Sequence, residues 1–162
     1  MSSNTDRIYR RSTVFRVVPD LDRAALDSWE KTELWTYRGP EGKYRLFSFA
    51  DMLEFAIVLR LMNAGVKAHR AWDMVKNVST VFRAGVQTIY LVAAEDEIRS
   101  ESGPGYWWTV FDDWQLVLDF LKKQSRITCI LVKAHYVVRE LSARLELLLR
   151  EQEQQQCEDD NS

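Results

Sequence analysis

Two cysteines, Cys129 and Cys157, and two histidines, His69 and His135, are all that 162 residues offer to a soft metal ion or a disulfide framework. Cys129 stands in an apolar, strand-like run and Cys157 in the tail, and neither histidine has a second ligand at metal-binding spacing. That argues against structural zinc, a disulfide scaffold, and the clustered thiols of metal or redox sensing. It makes a reducing cytoplasm the expected compartment. Long apolar runs are missing too: the best, residues 52–64, is interrupted by Glu54 and Arg60, short of the roughly 18 to 20 apolar residues that cross a bilayer. Residues 1–11 are polar and basic with no apolar core behind them, so they do not read as a secretory signal. Finally, the chain has no nucleophile elbow, phosphate loop or framed pair of carboxylates. Glu95, Asp96 and Glu97 form a charge run of the kind that is usually solvated loop. The expectation is a protein that is not an enzyme and carries no cofactor or metal.

What the chain does have is a core's worth of apolar surface: 46% of its residues are hydrophobic and 12% aromatic, which excludes a disordered chain. Its formal net charge of -2 hides an asymmetry. Residues 1–85 carry 14 Lys and Arg against 10 Asp and Glu, and residues 86–162 carry 8 against 14. A polyanion would therefore be met by the first half, with a modest electrostatic contribution.

Periodicity organises that first half. Ser12 and Thr13 are candidate caps for a two-turn helix bearing Val14, Phe15, Val17 and Val18, ended by Pro19. Asp20 or Asp22 caps a second helix whose apolar residues Leu21, Ala25, Leu26 and Trp29 recur at helical spacing to about Glu33. Gly39, Pro40 and Gly42, flanked by Tyr37 and by Tyr44, Leu46 and Phe47, suit a two-stranded hairpin over 35–47. That hairpin is cationic through Arg38, Lys43 and Arg45. Ser48 and Asp51 are spaced as a capping box for an all-round apolar helix ending at Gly65. Another helix follows over about 67–77. Trp29, Trp35 and Trp72 read as core, and so does the surface under Phe55 and Leu59.

The second half changes texture. Residues 88–93 and 106–111 read as strands on either side of Gly103-Pro104-Gly105, a helix capped by Asp112 or Asp113 runs to Lys123, and residues 126–132 form a third strand. This is a small ββαβ domain. Tyr106, Trp107, Trp108 and Trp114 offer a pocket for an aromatic or cationic effector, although core packing is the favoured reading. A last helix, over about 134–154, sets Val138, Leu141, Leu145 and Leu148 at alternating spacings of three and four, the stripe of a dimerising coiled coil.

With these elements in order, the first domain resembles the MerR family of winged helix-turn-helix transcriptional regulators. Gly42-Lys43-Tyr44-Arg45-Leu46-Phe47-Ser48 looks like the family's wing running into a capped helix, and Leu59-Arg60-Leu61-Met62-Asn63-Ala64-Gly65-Val66 like its helix end, glycine and following apolar residue. Ala25-Leu26-Asp27-Ser28-Trp29-Glu30 occupies the end of the recognition helix. The resemblance covers about residues 12–76. It implies an N-terminal winged helix domain (12–80), and with the elements read above the expected chain is α+β: a polar arm (1–11), that domain, the ββαβ domain (86–133), a coiled-coil dimerisation helix (134–155) and a disordered acidic tail (156–162).

It further implies a homodimer in the cytoplasm, associated with the nucleoid, regulating transcription on duplex DNA in the manner of a bacterial or phage regulator. The DNA-facing residues would be Arg16, Arg23, Arg38, Lys43, Tyr44, Arg45, Lys67 and Arg70, with the wing supplying most of the attraction. Relatives usually place a cation and a tyrosine where this chain has Asp27 and Ser28, and an aspartate there repels phosphate. Two alternatives stand beside this reading: a protein-binding adaptor whose winged helix has lost DNA affinity, and an excisionase-like architectural protein.

Overall fold

The computed structural model describes residues 9–18, 20–37, 45–83, 90–100, 103–123 and 129–159. Of 77–83, 91–100, 103–110, 129–131 and 158–159 only the backbone course is described. The fold is α+β. By their internal contacts the residues divide into two compact units, Met1–Ala56 with Val137–Ser162, and Ile57–Tyr136.

In the first unit, strand β1 (Tyr9–Arg10) leads directly into helix α1 (Arg11–Val17), followed by α2 (Arg23–Lys31), β2 (Leu46–Phe47) and the first half of α3 (Phe49–Asn63). The expected hairpin partner of β2 was the segment at Tyr37, but β2 pairs antiparallel with β1, Tyr9 opposite Phe47 and Arg10 opposite Leu46. The Leu46 amide donates to the Tyr37 hydroxyl at 2.9 Å, and residues 38–44, the middle of the expected hairpin, lie outside the described residues. Two residues of the expected polar arm are thus sheet. Helix α1 begins at Arg11, with Arg10 as its cap residue and no side-chain cap from Ser12 or Thr13.

Asp22 caps α2, accepting from the Ala25 amide at 2.6 Å. This helix stops short of Glu33, whose φ of 57° is left-handed. Leu34 N–H returns to the Trp29 carbonyl and Glu33 N–H to that of Glu30, the Schellman pattern with glutamate where glycine is usual. At α3 the capping box forms as its spacing requires: the Ser48 amide donates to Asp51 Oδ2 at 2.8 Å and the Asp51 amide to Ser48 Oγ at 3.2 Å. Residues 52–59 are buried without interruption, Glu54 included. Gly65, at φ 96°, ends the helix with the same Schellman bonds, Val66 to Leu61 and Gly65 to Met62.

Five rings form the first unit's core. Trp35 stacks on Phe47 at 5.8 Å and meets Phe55 edge-on at 5.0 Å, while Trp29 lies against Phe55 at 6.1 Å and Tyr37 against Phe47 at 6.1 Å. The terminal helix α6 (Ala134–Asp159) belongs to this unit from Val137 onward and continues past the expected boundary at 155.

The second unit contains the rest of α3, α4 (Ala68–Arg83), β3 (Tyr90–Ser100), β4 (Gly103–Phe111), α5 (Trp114–Lys123) and β5 (Cys129–Lys133). The sheet order is β4-β3-β5, antiparallel throughout. Both outer strands oppose β3, so they run in the same direction, and α5 is the crossover between them. Asp113 caps α5, accepting from the Gln115 amide at 2.5 Å. Strands β3 and β4 extend further than the β-branched runs alone suggest, taking in the acidic residues 95–97. The ladder carries them, because Ala94 and Asp96 have backbone partners in Trp107 and Gly105.

Candidate nucleic-acid interface

Of the residues expected to face DNA, Arg38, Lys43 and Tyr44 lie outside the described residues. The others fall in both units. Arg16 on α1, Arg23 at the start of α2 and Arg45 just before β2 belong to the first unit and are exposed. Lys67 and Arg70 belong to the second and are exposed at the beginning of α4, where the Lys67 carbonyl accepts the Ala71 amide at 3.0 Å.

Within the first unit the structure gathers a cluster that sequence spacing did not show. Arg11 forms an ion pair with Asp27, joining the start of α1 to the exposed face of α2, and its guanidinium lies 5.4 Å from the Phe15 ring. Arg45 pairs with Glu30 one turn further along α2 and sits 5.7 Å from the ring of Tyr37. The Arg11 hydrogen bond holds the Asp27 carboxyl below its ordinary value, aided by the charges of Arg11, Arg23 and Arg45 and opposed by desolvation. Three guanidinium groups thus act on one carboxylate.

Asp27 was expected to repel phosphate. Its charge is instead taken up by Arg11, a residue assigned by sequence to the arm. Its role could not be read from spacing, because sixteen residues separate the two partners and no helical or strand period links them. The arrangement is still cationic, with Arg11, Arg23 and Arg45 against Asp27 and Glu30. A guanidinium carries five N–H donors, and the Arg45–Glu30 pair is made through Arg45 Nη1. The rest of that fork is chemically able to meet phosphate, and Arg45 remains half exposed.

Arg16 is engaged elsewhere. Its Nη2 donates to Glu151 Oε2 of α6 at 2.7 Å, and Arg16, Arg144, Leu147, Leu148 and Glu151 line an open groove of about 230 Å³. Within one chain the expected dimerisation stripe is largely covered. Leu141, Leu145 and Leu148 are at most 4% exposed within a single chain, with Val137 at 0%, and Val138 is half-buried. The stripe is used in packing the chain itself, and the large apolar side chain that α6 leaves most open is Leu147.

Other expectations divide similarly. Trp29, Trp35 and Trp72 are buried, as their spacing suggests, and so are Phe55 and Leu59. Trp114, favoured as core, is 39% exposed, because it opens α5 at the sheet's end rather than facing inward from a helix interior. The side chains of Tyr106, Trp107, Trp108 and Cys129 fall outside those described. Among the described residues no three or more His, Cys, Asp and Glu side chains converge on a possible metal position, and no helix is long and apolar enough to cross a membrane. Compared with models of known protein families and with curated proteins, the chain matches none.

Proposed function

We propose that the protein binds duplex DNA as a winged helix-turn-helix transcriptional regulator of the MerR-like type, acting in the cytoplasm as a homodimer. One observation carries the reading. The Arg45–Glu30 ion pair fastens the residue just before β2, at the end of the proposed wing, to the helix that would be the recognition helix, and Arg11, Arg23 and Arg45 all act on Asp27 of that helix. A wing fixed to its reading helix is what lets backbone contacts set the register for base contacts. The second unit by itself offers Lys67 and Arg70, at a helix N-terminus whose amides also favour phosphate. The wing cations Arg38 and Lys43, with Tyr44, complete the interface. The dimer forms through α6 by way of Leu147, since the inner stripe is occupied.

The test is a titration of the full chain with duplex fragments from its own locus over a salt series. A regulator selects one fragment and shows a clear salt slope. Arg45→Ala lowers affinity by roughly 1 to 3 kcal/mol on that fragment if Arg45 reads a base, or evenly on all fragments, with a salt slope reduced by about one, if it meets phosphate. If no fragment binds more tightly than about 10⁻⁴ M, the weak end of non-specific binding, the proposal fails.

One observation favours the adaptor as second reading. Arg11, Arg16 and Arg45 are each already held by a carboxylate of the same chain, Asp27, Glu151 and Glu30. In an adaptor those pairs are permanent, and Arg45→Ala leaves DNA affinity unchanged.

A further inference from the structure

The second unit sets four aromatic side chains in a row, with a positive charge between the two at its ends. Tyr90 opens β3 and lies in register with Lys133 at the end of β5, Trp114 opens α5, and His135 and Tyr136 stand in the first turn of α6. Four chain ends therefore meet at one end of the sheet. The rings touch in sequence: Trp114 and Tyr90 at 5.4 Å, Tyr90 and His135 at 5.4 Å, His135 and Tyr136 at 4.6 Å. Lys133 closes the circle between the two ends, its Nζ 5.2 Å from the centre of Trp114 and 5.6 Å from that of Tyr136.

Both distances are within the reach over which a ring face attracts a cation. The walls are open to solvent, Trp114 at 39% and Tyr136 at 52%, and Lys133 itself is exposed. The positive end of α5, which would oppose a cation here, is capped by the Asp113 carboxylate, and Asp112 lies beside it in sequence.

We propose that this cage is a binding site for a quaternary alkylammonium group, with the Lys133 ammonium as its resident competitor. A primary ammonium is strongly hydrated and gives up little water to sit over rings. A methylated ammonium has the same charge but apolar methyl groups, which gain from contact with Trp114 and Tyr136 while the charge keeps its attraction to the ring faces. The ligand thus displaces Lys133, which swings into solvent on its flexible stem. The group can be carried by a small molecule such as choline or by a trimethylated lysine in a peptide.

The experiment is an NMR titration of the full chain, following the Trp114 indole resonance. Its probes are choline, dimethylbutanol as choline's neutral isostere, and one peptide with and without a trimethyllysine. Choline should bind about three- to tenfold more tightly than dimethylbutanol. Lys133→Met should strengthen choline binding by about threefold or more, through loss of a like charge. Tyr136→Leu should weaken choline binding. It removes a half-exposed ring at the rim, and an unchanged melting curve confirms that the variant is folded. Choline outcompeting the methylated peptide assigns a small-molecule ligand, and the reverse assigns a peptide. Equal binding of dimethylbutanol and choline overturns the proposal. So does choline affinity that Tyr136→Leu leaves intact, or an indole that neither choline nor the methylated peptide moves in the Lys133→Met variant.

Discussion

Two aromatic clusters, one in each unit, are built in opposite ways. In the first, Trp29, Trp35, Phe47 and Phe55 are at most 3% exposed and hold β2, α2 and α3 together, while the cations around them are paired with carboxylates. In the second, Trp114 and Tyr136 stand in solvent, and the cation beside them, Lys133, rests on their faces. The difference follows from position rather than residue type. A ring on the inner stripe of a helix is covered by its neighbours, whereas a ring on the first residues of a helix, where strands end, has neighbours on one side only. Position in the element, not aromatic content, therefore decides whether a ring is core, and Trp72, inside α4 of the second unit, is 2% exposed.

The largest test of that contrast is Phe55→Ala. Phe55 is fully buried and contacts Trp29, Trp35 and Phe47, so its truncation should cost about 3 to 5 kcal/mol in a denaturant titration. Trp114→Leu, at the open ring, should cost far less. Similar losses at the two positions would erase the distinction.

Next in size is Leu145→Ala. Leu145 is fully buried within one chain, and its truncation should cost about 2 to 5 kcal/mol. The shift in melting temperature should be the same in dilute and concentrated protein. A loss that grows on dilution would mean that the stripe is covered by a second copy.

A smaller effect, of opposite sign, is expected at Glu33. A left-handed glutamate strains the end of α2, so Glu33→Gly should raise stability by about 1 kcal/mol. Thermal melts that show no gain would mean that the φ of 57° is not retained in solution.

The smallest effect is that of Asp27→Asn, which removes the exposed pair with Arg11. Because the folded state lowers this carboxyl's pKa, the pair's contribution is complete above the ordinary carboxylate range and fades as pH falls through the lowered folded value. Wild type should thus exceed Asp27→Asn in stability near neutral pH and lose that lead in acid, with salt shrinking the gap. A gap that widens in acid would refute the pairing.

Much of the local structure was legible. Ser48 and Asp51 marked the start of α3 and Gly65 its end, because caps are bonds between residues three to five apart and their donors and acceptors are fixed by residue type. The ββαβ order of the second unit was legible from β-branched runs alternating with one helical period. The candidate site was legible only in its cations. Arg45 was named, but its partner Glu30 was not, and Arg11 was assigned to an arm.

Sequence by itself thus determined the order of the helices, the three strands of the second unit, the caps of α2, α3 and α5 and the asymmetry of charge, all of which are set by neighbours along the chain. Tertiary structure alone decided which strand pairs with β2, what covers the leucine stripe of α6, where the charge of Asp27 goes, and whether Trp114 is core or surface. Each of those depends on a partner far away in sequence. A strand's unpaired amides and a helix's apolar stripe state only that something must cover them, and several segments of one chain can satisfy that need. The competition is settled by which arrangement buries the most surface with the fewest unsatisfied polar groups, a property of the whole chain that no local period contains.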